Sequence, residues 1–171
     1  MNKGFEVIES HWLFGMPWDQ LDVVIHHQSI IHSMVEFTDG SMKAQMGAPD
    51  MRLPLQYAMF YPQRMASKEI PRFDPILTGS LTFEQMDSHR YPCFVTALEA
   101  GHAGGTYPTV LSASDEAAVD LFLQGRIGFK DIHQLVASTL ERHNSTPRPT
   151  LEDILSADEW ARQAVLSVTE H

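Results

Sequence analysis

Ile30-Ile31-His32-Ser33-Met34-Val35-Glu36-Phe37-Thr38-Asp39-Gly40-Ser41-Met42-Lys43-Ala44-Gln45-Met46 decides the fold class. Two β-prone runs flank Asp39-Gly40, a strong short-range hairpin signal because both residues tolerate the positive φ of a tight turn. Alternation in the first run puts Ile30, His32, Met34 and Glu36 on one face. Ile31, Ser33, Val35 and Phe37 fall on the other. The return run sets Met42, Ala44 and Met46 against Lys43 and Gln45. Leu21 to His26, rich in Val and Ile, reads as a further strand. Three strands need a helical layer to cover one face, so the expected class is α+β with a small, mostly antiparallel sheet.

Helices lie on both sides of this region. Upstream, Asn2 reads as an N-cap, and Phe5, Ile8 and Trp12, with Leu13 beside them, make an apolar stripe. Gly15 and Pro17 end that helix. Downstream, Pro49-Asp50 begins another, with Pro54 in its first turn and a stripe of Leu53, Tyr57 and Phe60 or Tyr61; Pro62 stops it. From there to about Met86 the periodicity is lost, and Pro71, Pro75 and Gly79 mark a linker. Four amphipathic helices follow. One starts near Pro92 and ends at Gly104-Gly105. The next starts at Ser114, with Asp115 and Glu116 in its first turn, and stops at Gly125. The third takes Asp131 as N-cap and Ile132, Leu135, Val136 and Leu140 as stripe. The last follows Thr150-Leu151-Glu152-Asp153, an acidic variant of the capping box. Tight connections suggest an antiparallel four-helix bundle.

Bulk composition sets limits. Of 171 residues, 43% are hydrophobic, enough for a real core. With 22 acids against 12 bases the net charge is −10, which argues against nucleic acid or an anionic membrane as the main partner. A small phosphorylated substrate needs only a few donors and stays open. The single cysteine, Cys93, rules out an intrachain disulfide framework and fits a reducing compartment. No apolar run approaches the length of a membrane span and no signal pattern opens the chain, so the expected location is the cytoplasm.

Several runs occur in an ordered series: Met1-Asn2-Lys3-Gly4, Glu6-Val7-Ile8-Glu9, His11-Trp12-Leu13-Phe14, Gln28-Ser29-Ile30-Ile31-His32-Ser33-Met34-Val35, Pro49-Asp50-Met51-Arg52-Leu53-Pro54, Gly79-Ser80-Leu81-Thr82-Phe83 and Tyr91-Pro92-Cys93. In this the chain resembles the second half of the 1-deoxy-D-xylulose 5-phosphate reductoisomerases, NADPH- and divalent-metal-dependent enzymes of isoprenoid biosynthesis by the methylerythritol phosphate route. The resemblance implies that residues 1–62 are the rear part of a central catalytic domain, 63–87 a linker and 88–171 a C-terminal helical domain.

The resemblance also implies site roles. Asn2 and Lys3 match the residues that bind the substrate phosphate. A helix N-terminus with unpaired N–H groups and a lysine suits that task; without the resemblance they read as a capped helix with one solvated lysine. Glu6 matches a ligand of Mg²⁺ or Mn²⁺, hard cations that favour carboxylate oxygens; alone it reads as a surface residue of a helix start. His32 matches a histidine near the active site, with a half-buried, hydrogen-bonded histidine as the plain alternative. Met51 is expected near the substrate pocket, or else in the core. His26, His27 and His32 with Glu6 or Glu9 invite a zinc reading, but their spacing fits no ligand pattern.

Departures from the family pattern shape the remaining expectations. There is no Gly-rich dinucleotide fingerprint, so no NADPH site is expected in this chain. The Asp-x-Glu pair that supplies the family's other metal ligands would precede residue 1. His26-His27 stands where the family has His-Pro, and Ser112-Ala113-Ser114-Asp115-Glu116 where it has Asn-Ala-Ala-Asn-Glu. Conversion of 1-deoxy-D-xylulose 5-phosphate to 2-C-methyl-D-erythritol 4-phosphate is therefore expected only with a missing N-terminal half, in an enzyme that resembles its relatives in being a homodimer. The chain by itself is expected to be inactive. The alternative is a non-catalytic structural or dimerisation module from a truncated reductoisomerase.

Overall fold

The computed structural model describes residues 1–168. The elements run α1 (Asn2–Phe14), a 3-10 turn (Trp18–Gln20), β1 (Val24–Ile25), β2 (Ile31–Glu36) and β3 (Met42–Met46). Then come α2 (Arg52–Phe60), α3 (Pro75–Thr78), β4 (Glu84–Gln85), α4 (Pro92–Ala103), α5 (Tyr107–Leu123), α6 (Phe129–Glu141) and α7 (Leu151–Val168). The class is α+β, with two small antiparallel sheets and a helical C-terminal part.

Two compact units form. One joins residues 1–22 to the chain from Asp87 onward; the other is Val23–Met86. This grouping differs from the sequential blocks 1–62, 63–87 and 88–171, because α1 packs on α4 rather than staying with the strands that follow it. The physical reason is small residues. Gly4 lies against Ala97, and Gly101 lies against Ile8 and Trp18, so two backbones approach with almost no side chain between them.

Within the helical unit α5 is central and packs on α4, α6 and α7. Leu111 and Leu121 on α5, Val136 on α6 and Val165 on α7 are fully buried. Burying each leucine contributes roughly 1.5–3 kcal/mol. Ala113 of α5 meets Ala157 and Ala161 of α7 in a second cluster, whose small side chains bring these two helices close.

The structure corrects several helix details. The α1 stripe does not hold to its end: Gly4, Val7 and Ile8 are buried, while Trp12, Leu13 and Phe14 are each more than 70% exposed. α5 begins at Tyr107, not Ser114, with Pro108 in the first turn where no N–H is needed. Ser114 is a buried mid-helix residue whose hydroxyl donates to the Leu111 carbonyl. Asp131 is not the N-cap of α6 but its third residue, accepting the Gly128 N–H at 2.8 Å. The Thr150–Asp153 box at the head of α7 forms as expected. The Thr150 N–H donates to Asp153 Oδ2 at 2.9 Å, and the Asp153 N–H donates back to Thr150 Oγ1 at 3.2 Å.

In the second unit the expected hairpin forms, but the first strand does not join it. β1 pairs antiparallel with β4, matching Val24 to Gln85 and Ile25 to Glu84. The segment expected as a linker thus contains a strand and the short helix α3. α2 starts at Arg52; Leu53 and Tyr57 are half-buried, and Phe60 and Tyr61 are exposed.

Candidate functional site

The first two turns of α1 gather three of the four expected site residues. Residues 2, 3 and 6 share one helical face because three- and four-residue spacings are neighbours on a helix. Asn2 Nδ2 donates to Glu6 Oε1 at 2.9 Å, and Lys3 Nζ donates to Glu6 Oε2 at 2.5 Å. Asn2 is not the N-cap. Met1 holds that position, and no side chain caps the helix. The Lys3 and Glu6 side chains are about half exposed. An uncapped helix start with an adjacent ammonium is chemically suited to an oxyanion.

Glu6 offers the oxygen donors a hard cation prefers. One carboxylate does not make a metal site, and among the described residues no group of three His, Cys, Asp or Glu side chains comes together to hold a metal. The zinc reading of the histidines finds no support in their contacts. His26 Nδ1 donates to the Thr82 carbonyl at 2.8 Å, and its ring stacks on Phe83. His27 Nε2 pairs with Glu84 Oε1 at 3.0 Å. Together with Gln28 Oε1, which accepts from Thr82 Oγ1 at 3.1 Å, they fasten residues 26–28 to 82–84.

His32 lies on β2 in the second unit, exposed. The alternation expected through it is broken. Pairing runs Ile31 to Met46 and then Ser33 to Gln45, a register shift that leaves His32 as a bulged residue. A bulge turns its side chain away from simple alternation, and accordingly the half-buried residues are Ile31 and Met34, three apart. Gly47, which no sequence signal singled out, is buried beside it. Its N–H donates to the Ile30 carbonyl at 2.9 Å, and a Cβ there would lie 3.2 Å from Leu53 Cδ2 and 4.0 Å from His32 Nε2. Met51 is 70% exposed, so it is not a core methionine of this chain. Cys93 is partly buried, and that burial pushes its thiol up.

A third cluster was not legible in the sequence. Thr106, fully buried ahead of α5, bonds His143 Nε2 through Oγ1 at 2.7 Å and accepts the Thr146 N–H at 3.1 Å. His143 packs against Tyr107 and Trp160, and burial holds its imidazole below the usual 6.5.

Comparison with known proteins shows the family. The family model described as the DXP reductoisomerase C-terminal domain matches residues 46–164. The 1-deoxy-D-xylulose 5-phosphate reductoisomerase 2 of Bacillus cereus is 50% identical over 166 residues, covering 97% of this chain and 44% of that protein. The reductoisomerase of Pelotomaculum thermopropionicum is 52% identical over 168 residues, covering 98% of this chain and 43% of that protein. Among solved structures, the Zymomonas mobilis reductoisomerase in complex with NADPH matches with a TM-score of 0.90 at 38% identity, over 99% of this chain and 45% of that one. A DOX-P reductoisomerase in complex with NADPH, fosmidomycin and magnesium matches with a TM-score of 0.87 at 34% identity, over 99% and 43%. The fold is thus that of the C-terminal portion of a reductoisomerase, and the chain belongs to the DXP reductoisomerase family. It spans less than half the length of these relatives.

Proposed function

We propose that this chain supplies the C-terminal portion of an enzyme that converts 1-deoxy-D-xylulose 5-phosphate to 2-C-methyl-D-erythritol 4-phosphate with NADPH and Mg²⁺ or Mn²⁺. The observation that carries the reading is the Asn2-Lys3-Gly4-x-Glu6 turn, presented on one face of α1 in a chain about half identical to named reductoisomerases over nearly all its length. Asn2 and Lys3 grip the substrate phosphate, Lys3 by charge and Asn2 by its amide. Glu6 gives one carboxylate to the divalent cation. His32 takes the part of the family's histidine near the active site, and Met51 that of a residue near the substrate pocket. Residues 1–62 contribute side chains to the catalytic domain, although 1–22 pack with the helical unit and Glu84-Gln85 of the expected linker pairs with β1. The cation, when bound, polarises substrate oxygens, and NADPH supplies the hydride. A Gly-rich nucleotide-binding domain and the remaining metal carboxylates complete the site, in a homodimer that works in the cytoplasm.

Assay of the chain with and without a co-expressed segment bearing those parts tests this. The chain alone should not oxidise NADPH with the sugar phosphate and Mg²⁺; the combination should. Glu6→Gln in the active combination should lower kcat/KM by on the order of a hundredfold or more. A combination that folds and binds NADPH yet turns nothing over would replace this reading with that of a non-catalytic structural or dimerisation module.

A further inference from the structure

Gln28-Ser29 and Gly79-Ser80-Leu81-Thr82-Phe83 both carry the family resemblance, and no site role falls on either. The fold joins them. His26 Nδ1 donates to the Thr82 carbonyl at 2.8 Å, the Thr82 hydroxyl donates to Gln28 Oε1 at 3.1 Å, and His27 Nε2 meets Glu84 Oε1 at 3.0 Å. Directly after this clasp comes Ser29 with φ +51, the one non-glycine residue of positive φ among the described residues. We propose that Gln28 and Thr82 are positioning residues: they hold Ser29 in its left-handed conformation and so set the hairpin that carries His32. The inference rests on the role proposed for His32 and extends that same site.

A left-handed φ crowds the Cβ of an L-residue against its own backbone, so it persists only where the chain on both sides is held. On one side stands the clasp, closed by the Ser29 N–H donating to the His26 carbonyl at 3.1 Å. On the other, the Gly47 N–H donates to the Ile30 carbonyl at 2.9 Å, and Ile31 pairs with Met46. Ser29 is thus a corner, with the β1–β4 pair on one arm and the β2–β3 hairpin on the other. His32 lies three residues past the corner, at the bulge, with Gly47 beside it. A different φ at Ser29 redirects β2, and His32 with it. His27 stands where the family has proline, whose ring would fix this stretch of backbone. Side-chain bonds to 82–84 take over that task here.

NMR of the whole chain and kinetics of the active combination test this. The Cα and Cβ shifts of Ser29 report its backbone conformation. Thr82→Val keeps the shape of the side chain and removes the hydroxyl that donates to Gln28. It should move the Ser29 shifts toward those of ordinary negative φ and move the His32 ring resonances. Thr82→Ser, which keeps the hydroxyl, should leave both as in the parent. Glycine takes positive φ without strain, so in the Ser29→Gly background Thr82→Val should move the His32 ring little. In the active combination Thr82→Val should raise KM for 1-deoxy-D-xylulose 5-phosphate about three- to tenfold and leave KM for NADPH unchanged. Loss of folded protein would instead lower kcat alone. Unchanged Ser29 shifts in Thr82→Val overturn the proposal, as does a parental KM for the sugar phosphate. An equal displacement of His32 with and without Ser29→Gly overturns it too. A combination without turnover in the parent removes the proposed function instead, and the Ser29 and His32 resonances still decide whether the clasp sets the hairpin.

Discussion

Gly4 of α1 lies against the methyl group of Ala97 on α4 so closely that a Cβ on residue 4 would collide with it. The contact fixes α1, and with it the turn carrying Asn2, Lys3 and Glu6, on the helical unit. The glycine in Asn-Lys-Gly therefore has a packing task one residue from the proposed phosphate contacts.

Gly4→Ala should destabilise the protein. Alanine favours helix over glycine by about 1 kcal/mol, but overpacking between two backbones costs about 1–3 kcal/mol and should win. Thermal unfolding should shift down by roughly 2–6 °C. Ala97→Gly in the same chain should recover part of the loss. A Gly4→Ala variant as stable as the parent would show that the helices separate freely.

The capping box of α7 predicts a second loss. Thr150 and Asp153 exchange backbone and side-chain bonds at 2.9, 3.0 and 3.2 Å. Thr150→Ala removes the hydroxyl that accepts the Asp153 N–H and should cost about 1 kcal/mol in denaturant unfolding. The same bonds hold the Asp153 carboxyl below its ordinary value of 3.8. A depressed carboxylate adds stability above its unfolded pKa and loses it as pH falls through the folded one. The penalty of Thr150→Ala should therefore shrink below about pH 4.

That box and the Gly104-Gly105 stop were legible because each is local: a cap or a positive-φ glycine declares itself within a few residues. The hairpin was legible for the same reason. The pairing of β1 was not, because its partner, Glu84-Gln85, lies some sixty residues on, and a two-residue ladder has no periodicity to read. Ser114 imitates a cap because acids follow it, although the hydroxyl serves inside α5. Asn2, Lys3 and Glu6 could be placed on one face from spacing alone. The setting of His32 could not, since alternation assumes an unbroken register and the bulge falls at that residue.

His143 makes stability depend on pH. Burial lowers its pKa from 6.5. Between 6.5 and that lowered value the unfolded chain binds a proton the folded one refuses, so this contribution is intact above 6.5 and is lost as pH falls through the folded pKa. Unfolding midpoints taken from about pH 8 to about pH 5 should decline less steeply in His143→Gln than in the parent. Parallel curves would mean that His143 titrates alike in both states.

Thr106 ties the 143–146 segment to the start of α5 through its hydroxyl and through its N–H, which donates to Ser145 Oγ at 3.1 Å. Oγ1 meets His143 Nε2 at 2.7 Å and accepts the Thr146 N–H at 3.1 Å. Beneath the segment, Gly105 has φ +57, and a Cβ there would lie 2.5 Å from Ser145 Oγ and 2.6 Å from the Thr146 carbonyl oxygen. Thr106→Val keeps the shape and removes the hydroxyl, leaving the Thr146 N–H without its acceptor at a cost of about 1–3 kcal/mol. Hydrogen exchange at the Thr146 amide should accelerate by more than global destabilisation accounts for, with the amides of Leu121 and Val136 as the reference for global opening. If Thr146 slows or matches them, the segment is held by its backbone fit over Gly105 and not by the Thr106 hydroxyl.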